Sequence, residues 1–273
     1  PRYSSSAASD VYKRQGGDIN FTDGSLLTTD IGSGAGLIVL LAFTFGFAKN
    51  GLRPFHSWLP NAMVAPTPVS ALLHAVAVVK VGVFCVIRVF TGVFGIDLLE
   101  KLDIAVVVSW IAAFTVITSS LIALSQDNLK RRLAFSTIGQ LSYIILGVSL
   151  LLPLGVTGSI LHVAMHAFGK ITLFFCAGAI YVAMHKKYVS ELVGIGRKMP
   201  ITMTAFAIGS LSVIGLPVTG GLVSKWYLVM GTVESDQIAF LVVFLISSIL
   251  NACYFLPIVY RAFFCRPEES LYE

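Results

Sequence analysis

The sequence predicts an all-α fold: a polytopic membrane bundle of about seven transmembrane helices, two of them broken by Gly and Pro. Three observations carry this. Hydrophobic residues make up 56% of the 273 and charged residues 12%, where a soluble domain has about 45–50% and about 25%. Mean hydropathy is +0.85. Apolar runs close to the roughly 20 residues that cross a bilayer recur between short polar segments. The net charge of +5 arises from basic loops and does not argue for nucleic acid. Cys85, Cys176, Cys253 and Cys265 form no CxxC, and three lie in apolar runs. No disulfide framework and no metal site is expected from them.

Each element can be justified in chain order. No signal peptide is visible and residue 1 is not Met. The stretch Pro1 to Gln15 is polar and unlike the remainder of the chain. Residues 1 to about 15 are therefore expected to be non-native, with the true N-terminal part missing, and residues 1–30 form a non-native or loop segment. Residues 31–262 are expected to form the transmembrane domain, and 263–273 a cytoplasmic tail. The first run, Ile31–Phe47, meets Lys49-Asn50-Gly51-Leu52-Arg53-Pro54, where Gly and Pro interrupt the helix. Broken backbone at membrane depth is tolerated only inside protein or beside a cavity. After further prolines, Val69–Phe90 spans, carrying His74 and Lys80 on different faces. Thr91–Asp103 reads as a polar loop. Ile104–Leu124 spans, and Ser125–Arg132 is a tight basic loop. Leu133–Leu152 and Val156–Met184 span, and a basic loop leads on to Pro200. Ile201–Met230 is interrupted at Gly215-Leu216-Pro217 and Gly220-Gly221, with Lys225 just beyond. Ile238–Ala262 is the last span.

Alternation places Lys130, Arg131, Arg132, Lys186, Lys187, Arg197, Lys198, Arg261 and Arg266 on one side. By the positive-inside rule that side is the cytoplasm, with the C-terminus there. The expected location is the cell's inner (plasma) membrane. The paired Gly/Pro breaks, each with a lysine nearby, point to an internal repeat and a transporter-like architecture.

The chemistry-bearing stretch is His162-Val-Ala-Met-His166-Ala-Phe-Gly-Lys170. Its three titratable groups are spaced i, i+4, i+8, one stripe about 12 Å long on a helix. A lysine at the bilayer centre costs about 2.5–3.5 kcal/mol on insertion scales. Such a stripe is expected to face water, partners or a proton path. Burial disfavours an ammonium and imidazole titrates near neutral pH, so a row of them bridged by water can pass protons. Lys49, His74, Lys80, His162, His166, Lys170 and Lys225 all fall in or beside apolar runs and are the expected proton path. Lys130 is a candidate for a channel mouth, although a topology signal explains it more economically. Lys49 and Lys225 could instead cap broken helix ends, where cations suit a C-terminus. HxxxH could bind a metal, but no carboxylate stands beside it. All fourteen acidic residues lie in loops or termini, so balancing carboxylates are expected on upstream helices or on another subunit. No dinucleotide fingerprint or iron–sulfur spacing is present; no cofactor is expected, and electron chemistry would belong to other chains.

Four stretches resemble the antiporter-like membrane subunit family: Pro54–Phe84, Asp127–Gly147, His162–Tyr181 and Gly215–Leu228. That family includes the large membrane subunits of respiratory complex I, the A and D subunits of Mrp-type sodium/proton antiporters, and membrane arms of energy-converting hydrogenases. The D-type antiporter subunit looks nearest. The resemblance covers about residues 31–262 and implies the part of a fold of about fourteen spans, with inverted repeats, from the seventh span onward. It implies that Lys49 is the lysine of the first broken helix and Lys80 that of the following span. Lys170 resembles the central lysine of the second half, bridged by His162 and His166, and Lys225 the terminal lysine of the second broken helix. The Glu that pairs with the lysine at position 49 in relatives has no counterpart here. The function implied is proton translocation in a multi-subunit monovalent cation (Na+)/H+ antiporter. The alternative is a proton-pumping subunit of an NADH:quinone oxidoreductase or hydrogenase complex. The partners implied are other membrane subunits, protons, Na+ and the lipid bilayer.

Overall fold

A computed structural model describes residues 31–72 and 77–265. The expected N-terminal segment 1–30 and most of the expected tail lie outside the described residues. Each expected apolar run carries helix. α1 is Ser33–Gly46 and α2 is Val78–Arg88, which runs on as a π-helical turn over Val89–Phe94. α3 is Ala105–Ser125, α4 is Leu129–Ser149 and α5 is Pro153–Met184. α6 (Pro200–Ile214) and α7 (Gly220–Glu234) are the two halves of the interrupted run, and α8 is Ile238–Phe264. Among the described residues α3, α5 and α8 are long and apolar enough to cross a membrane, with a fourth span if α2 with its π-helical turn and the bent helix Ile96–Leu102 count as one.

Local chemistry sets the ends. The Asn128 side chain accepts from the Arg131 backbone N–H and caps α4. Pro153 and Pro200 open α5 and α6 at positions where a missing N–H costs nothing. His185 ends α5 in the left-handed region.

The expected polar loop over 91–103 is a correction. Gly95, at φ 79°, turns the chain, and a second helix, Ile96–Leu102, leaves at 80° to the first. Asp97 in its first turn and Lys101 in its last complement the helix dipole, while Leu98 and Leu99 are buried. Charges at helix ends there read as loop composition.

α5 is the hub, packing against α4, α6, α7 and the short helix Thr67–Ala71. Gly158 makes the α5–α7 approach possible: a Cβ there would sit 2.8 Å from the Leu228 backbone nitrogen. Small residues at helix crossings are how bilayer bundles gain contact. The polarity is inverted relative to a water-soluble protein. Phe168, Val182, Ile201, Ile249 and Phe264 are exposed, whereas Lys80, Gln140, His162, His166, Lys170, Lys225 and Asn251 are buried.

Candidate functional site

The i, i+4, i+8 spacing on α5 turns His162, His166 and Lys170 into the bundle, and Lys170 has 0% of its surface exposed. α2 brings Lys80 to the same place, with Nζ 2.5 Å from His166 Nδ1. The His162 and His166 rings stack with centroids 6.0 Å apart. Beyond them the Tyr143 ring of α4 stacks on His162 at 5.7 Å, and Lys225 Nζ lies 5.0 Å from that Tyr143 ring. The row therefore runs Lys80, His166, His162, Tyr143, Lys225 across four helices.

His162 is held at both nitrogens. Nε2 is 2.9 Å from Gln140 Oε1, and Nδ1 is 2.8 Å from Ser224 Oγ. An amide oxygen only accepts, so Nε2–H donates to Gln140, and the Ser224 hydroxyl donates to Nδ1 of the neutral ring. Ser224 Oγ also lies 3.2 Å from the Gly221 carbonyl. When Nδ1 gains a proton, the hydroxyl can turn to that carbonyl and accept from the ring. The pocket satisfies His162 in either charge state without moving a heavy atom. His166 differs: with Nδ1 engaged by Lys80, its buried Nε2 has no hydrogen-bond partner. Leaving such a group dry costs about 1–3 kcal/mol, which makes it a place for water.

Lys225 Nζ donates to the Ile214 carbonyl at 2.8 Å and to Ser248 Oγ at 3.3 Å. Ile214 is the last residue of α6, so the ammonium caps the C-terminal end of a broken helix. Gly215 gives it room: a Cβ there would lie 2.7 Å from Lys225 Cδ. Lys170 Nζ donates to Ser136 Oγ at 2.7 Å and to the Leu133 carbonyl at 3.3 Å, and stands 5.2 Å from the Phe255 ring. None of the hydrogen-bond partners of Lys80, Lys170 or Lys225 among the described residues is a carboxylate. The described acids occupy turns, helix ends and the short helix Ile96–Leu102.

The remaining expected residues stand apart. Lys49 is exposed in the turn Ala48–Asn50 and does not join the row. His74 lies outside the described residues. Lys130 is half-buried at the start of α4, 5.8 Å from the Tyr181 ring, which Lys187 also approaches at 5.1 Å. Sequence reasoning missed Ser136, Gln140 and Tyr143 on α4, Ser224 on α7, and Ser248, Asn251 and Tyr254 on α8. A signal existed. Ser136-Gln140-Tyr143 and Ser247-Asn251-Tyr254 each repeat serine, amide and tyrosine at i, i+4, i+7, one helix face apiece.

The fold and the site define a class: a multi-pass helical membrane protein organised around lysines and histidines in its interior. The chain belongs to the proton-translocating family described as NADH:quinone oxidoreductase/Mrp antiporter, TM, which matches residues 7–251. It is 39% identical over 233 residues to NADH-quinone oxidoreductase subunit N of Desulforudis audaxviator, covering 83% of this chain and 46% of that protein. Among solved structures it resembles a chain of the Mrp complex from Dietzia sp. DQ12-45-1b, with TM-score 0.77 and 27% identity over 85% of this chain and 42% of that one. It equally resembles a chain of the membrane-bound sulfane sulfur reductase, an archaeal respiratory membrane complex, with TM-score 0.78 and 27% identity over 90% and 51%. The chain thus spans about half the length of these relatives.

Proposed function

We propose that this chain moves protons through the interior row Lys80–His166–His162–Tyr143–Lys225 and its side arm at Lys170, as one membrane subunit of a larger complex. The observation that carries the reading is the 2.5 Å approach of Lys80 to His166 within a site where imidazoles stack between two lysines. A buried ammonium is costly, and a neutral amine beside an imidazole is not. Proton transfer between neighbours therefore lets the site carry charge without holding every cation at once. Water at the free Nε2 of His166 would connect the row toward Lys170 on the next turn. Lys49, His74 and Lys130 are kept as proposed members of the path beyond this row, Lys130 as a candidate for its mouth. The basic loops favour a plasma-membrane orientation with the C-terminus cytoplasmic.

Redox energy is the favoured driver, because the Desulforudis relative is an NADH-quinone oxidoreductase subunit. Electron transfer would then take place in other chains of the complex. Exchange of Na+ for H+ is the second reading, favoured by the likeness to the Mrp complex. Vesicles containing the complete complex separate them. A quinone-dependent or hydrogen-dependent pH change supports the first, and a sodium-dependent one without electron donor supports the second. Lys170→Met should reduce proton movement more than tenfold in the assembled complex under either driver. Undiminished movement in that variant overturns the role.

A further inference from the structure

α4 and α8 meet in antiparallel register. Tyr143 of α4 reaches Ser248 of α8 at 3.5 Å, and Tyr254 of α8 reaches Ser136 of α4 at 2.8 Å. Only the second meeting touches Lys170, through Ser136. The Tyr254 hydroxyl also hydrogen-bonds Asn251 Oδ1, and Arg132 Nη1 donates to the Tyr254 carbonyl at 3.1 Å. Asn251 is buried, and its Nδ2 has no partner.

From these contacts we infer that Asn251, Tyr254 and Ser136 form a reversible hydrogen-bond chain that serves Lys170 in both of its protonation states. The three are positioning residues for the translocation proposed above, and the inference rests on that reading. When Lys170 is an ammonium, Nζ donates to Ser136, Ser136 to the Tyr254 oxygen, and Tyr254 to Asn251 Oδ1. Each hydroxyl spends its single hydrogen once, and the amide oxygen closes the line. When Lys170 is an amine, its lone pair needs a donor. Asn251 then turns its amide by 180° and donates from Nδ2 to Tyr254, Tyr254 donates to Ser136, and Ser136 to Nζ. No heavy atom other than the amide pair changes place. The unpaired Nδ2 is what this demands: one atom of the amide is idle in each state, so the rotor is not locked. A serine–tyrosine pair ending on a carbonyl alone could serve the ammonium only.

The ionisable surroundings of Lys170 are few. α5 contributes His166 with His162 a turn further, α2 contributes Lys80, α4 contributes Arg132 at its start, α7 contributes Lys225 beyond the imidazoles, and α8 contributes Tyr254. α6 carries no ionisable side chain. A carboxylate at 251 would change this balance directly, because it can accept but not donate.

The test uses the complete complex in vesicles, with proton movement tracked across a pH series. Asn251→Asp should hold the chain in its ammonium-serving direction and move the pH profile upward by one unit or more, while assembly is retained. Tyr254→Phe cuts the chain, so Tyr254→Phe/Asn251→Asp should show the Tyr254→Phe profile, without the added shift. Should Tyr254→Phe fail to assemble, Ser136→Ala replaces it in the double variant. An unchanged profile in Asn251→Asp, or a double variant that keeps its full shift, overturns the inference. Lys170→Met separates this failure from failure of the broader reading. If it abolishes movement while Asn251→Asp leaves the profile unchanged, only the switch is wrong.

Discussion

The two helix breaks look alike in sequence and differ in how they are healed. At the second, the carbonyl freed at Ile214 is bonded by the Lys225 ammonium, which is thereby buried beside Tyr143 and Ser248. At the first, the Thr44 carbonyl is bonded by the amide of Asn50 at 2.6 Å, and the Asn50 oxygen accepts from the Leu52 N–H at 3.0 Å. Lys49, next to that neutral cap, has its side chain exposed among the described residues. The two breaks are thus closed by different chemistry, an ammonium at one and a neutral amide at the other.

The sharpest way to test this contrast is to remove each cap. Lys225→Met should cut proton movement at least tenfold in the assembled complex, because it deletes the end of the row; flux assays in vesicles check it. Asn50→Leu should instead act on stability. It leaves the buried Thr44 carbonyl and Leu52 N–H unpaired, at about 1–3 kcal/mol each, and should lower the thermal midpoint of the purified complex. A smaller effect is expected from the glycines. Gly215→Ala meets Lys225 Cδ at 2.7 Å with φ at +87°, and a left-handed residue with a Cβ costs about 1–2 kcal/mol. Gly46→Ala near the first break has no heavy atom within 4 Å and should stay within about 0.5 kcal/mol of the parent.

The smallest effect lies at the basic face. The backbone N–H groups of Tyr188 and Lys187 hold the Glu191 carboxyl below the usual carboxylate range. A depressed carboxylate contributes stability that is present above its ordinary range and lost as pH falls through the lowered value. Hydrogen-exchange protection across 186–192 should therefore drop on acidification, and Glu191→Gln should remove that pH dependence.

Much of this was legible beforehand. Periodicity and composition placed the helices, and the i, i+4, i+8 stripe placed His162, His166 and Lys170 on one buried face. The Gly215-Leu216-Pro217 interruption appeared where the helix does break. Other features needed three dimensions. Lys80 meets His166 across 86 residues, and no local spacing encodes that. Gln140, Tyr143 and Asn251 are common as packing residues, so their polar stripes gained meaning only once α4 and α8 faced each other. Lys49 and Lys225 both stand beside a Gly/Pro break in the sequence, and which side chain closes each break is seen only in the structure.

The central claim is that the imidazoles link the lysines. It is tested most directly by His166→Leu in the complete complex, with proton flux measured in sealed vesicles. That substitution removes the contact with Lys80 and leaves every lysine in place. The account predicts flux below a tenth of the parent with assembly intact. Full flux from an assembled His166→Leu complex would contradict it.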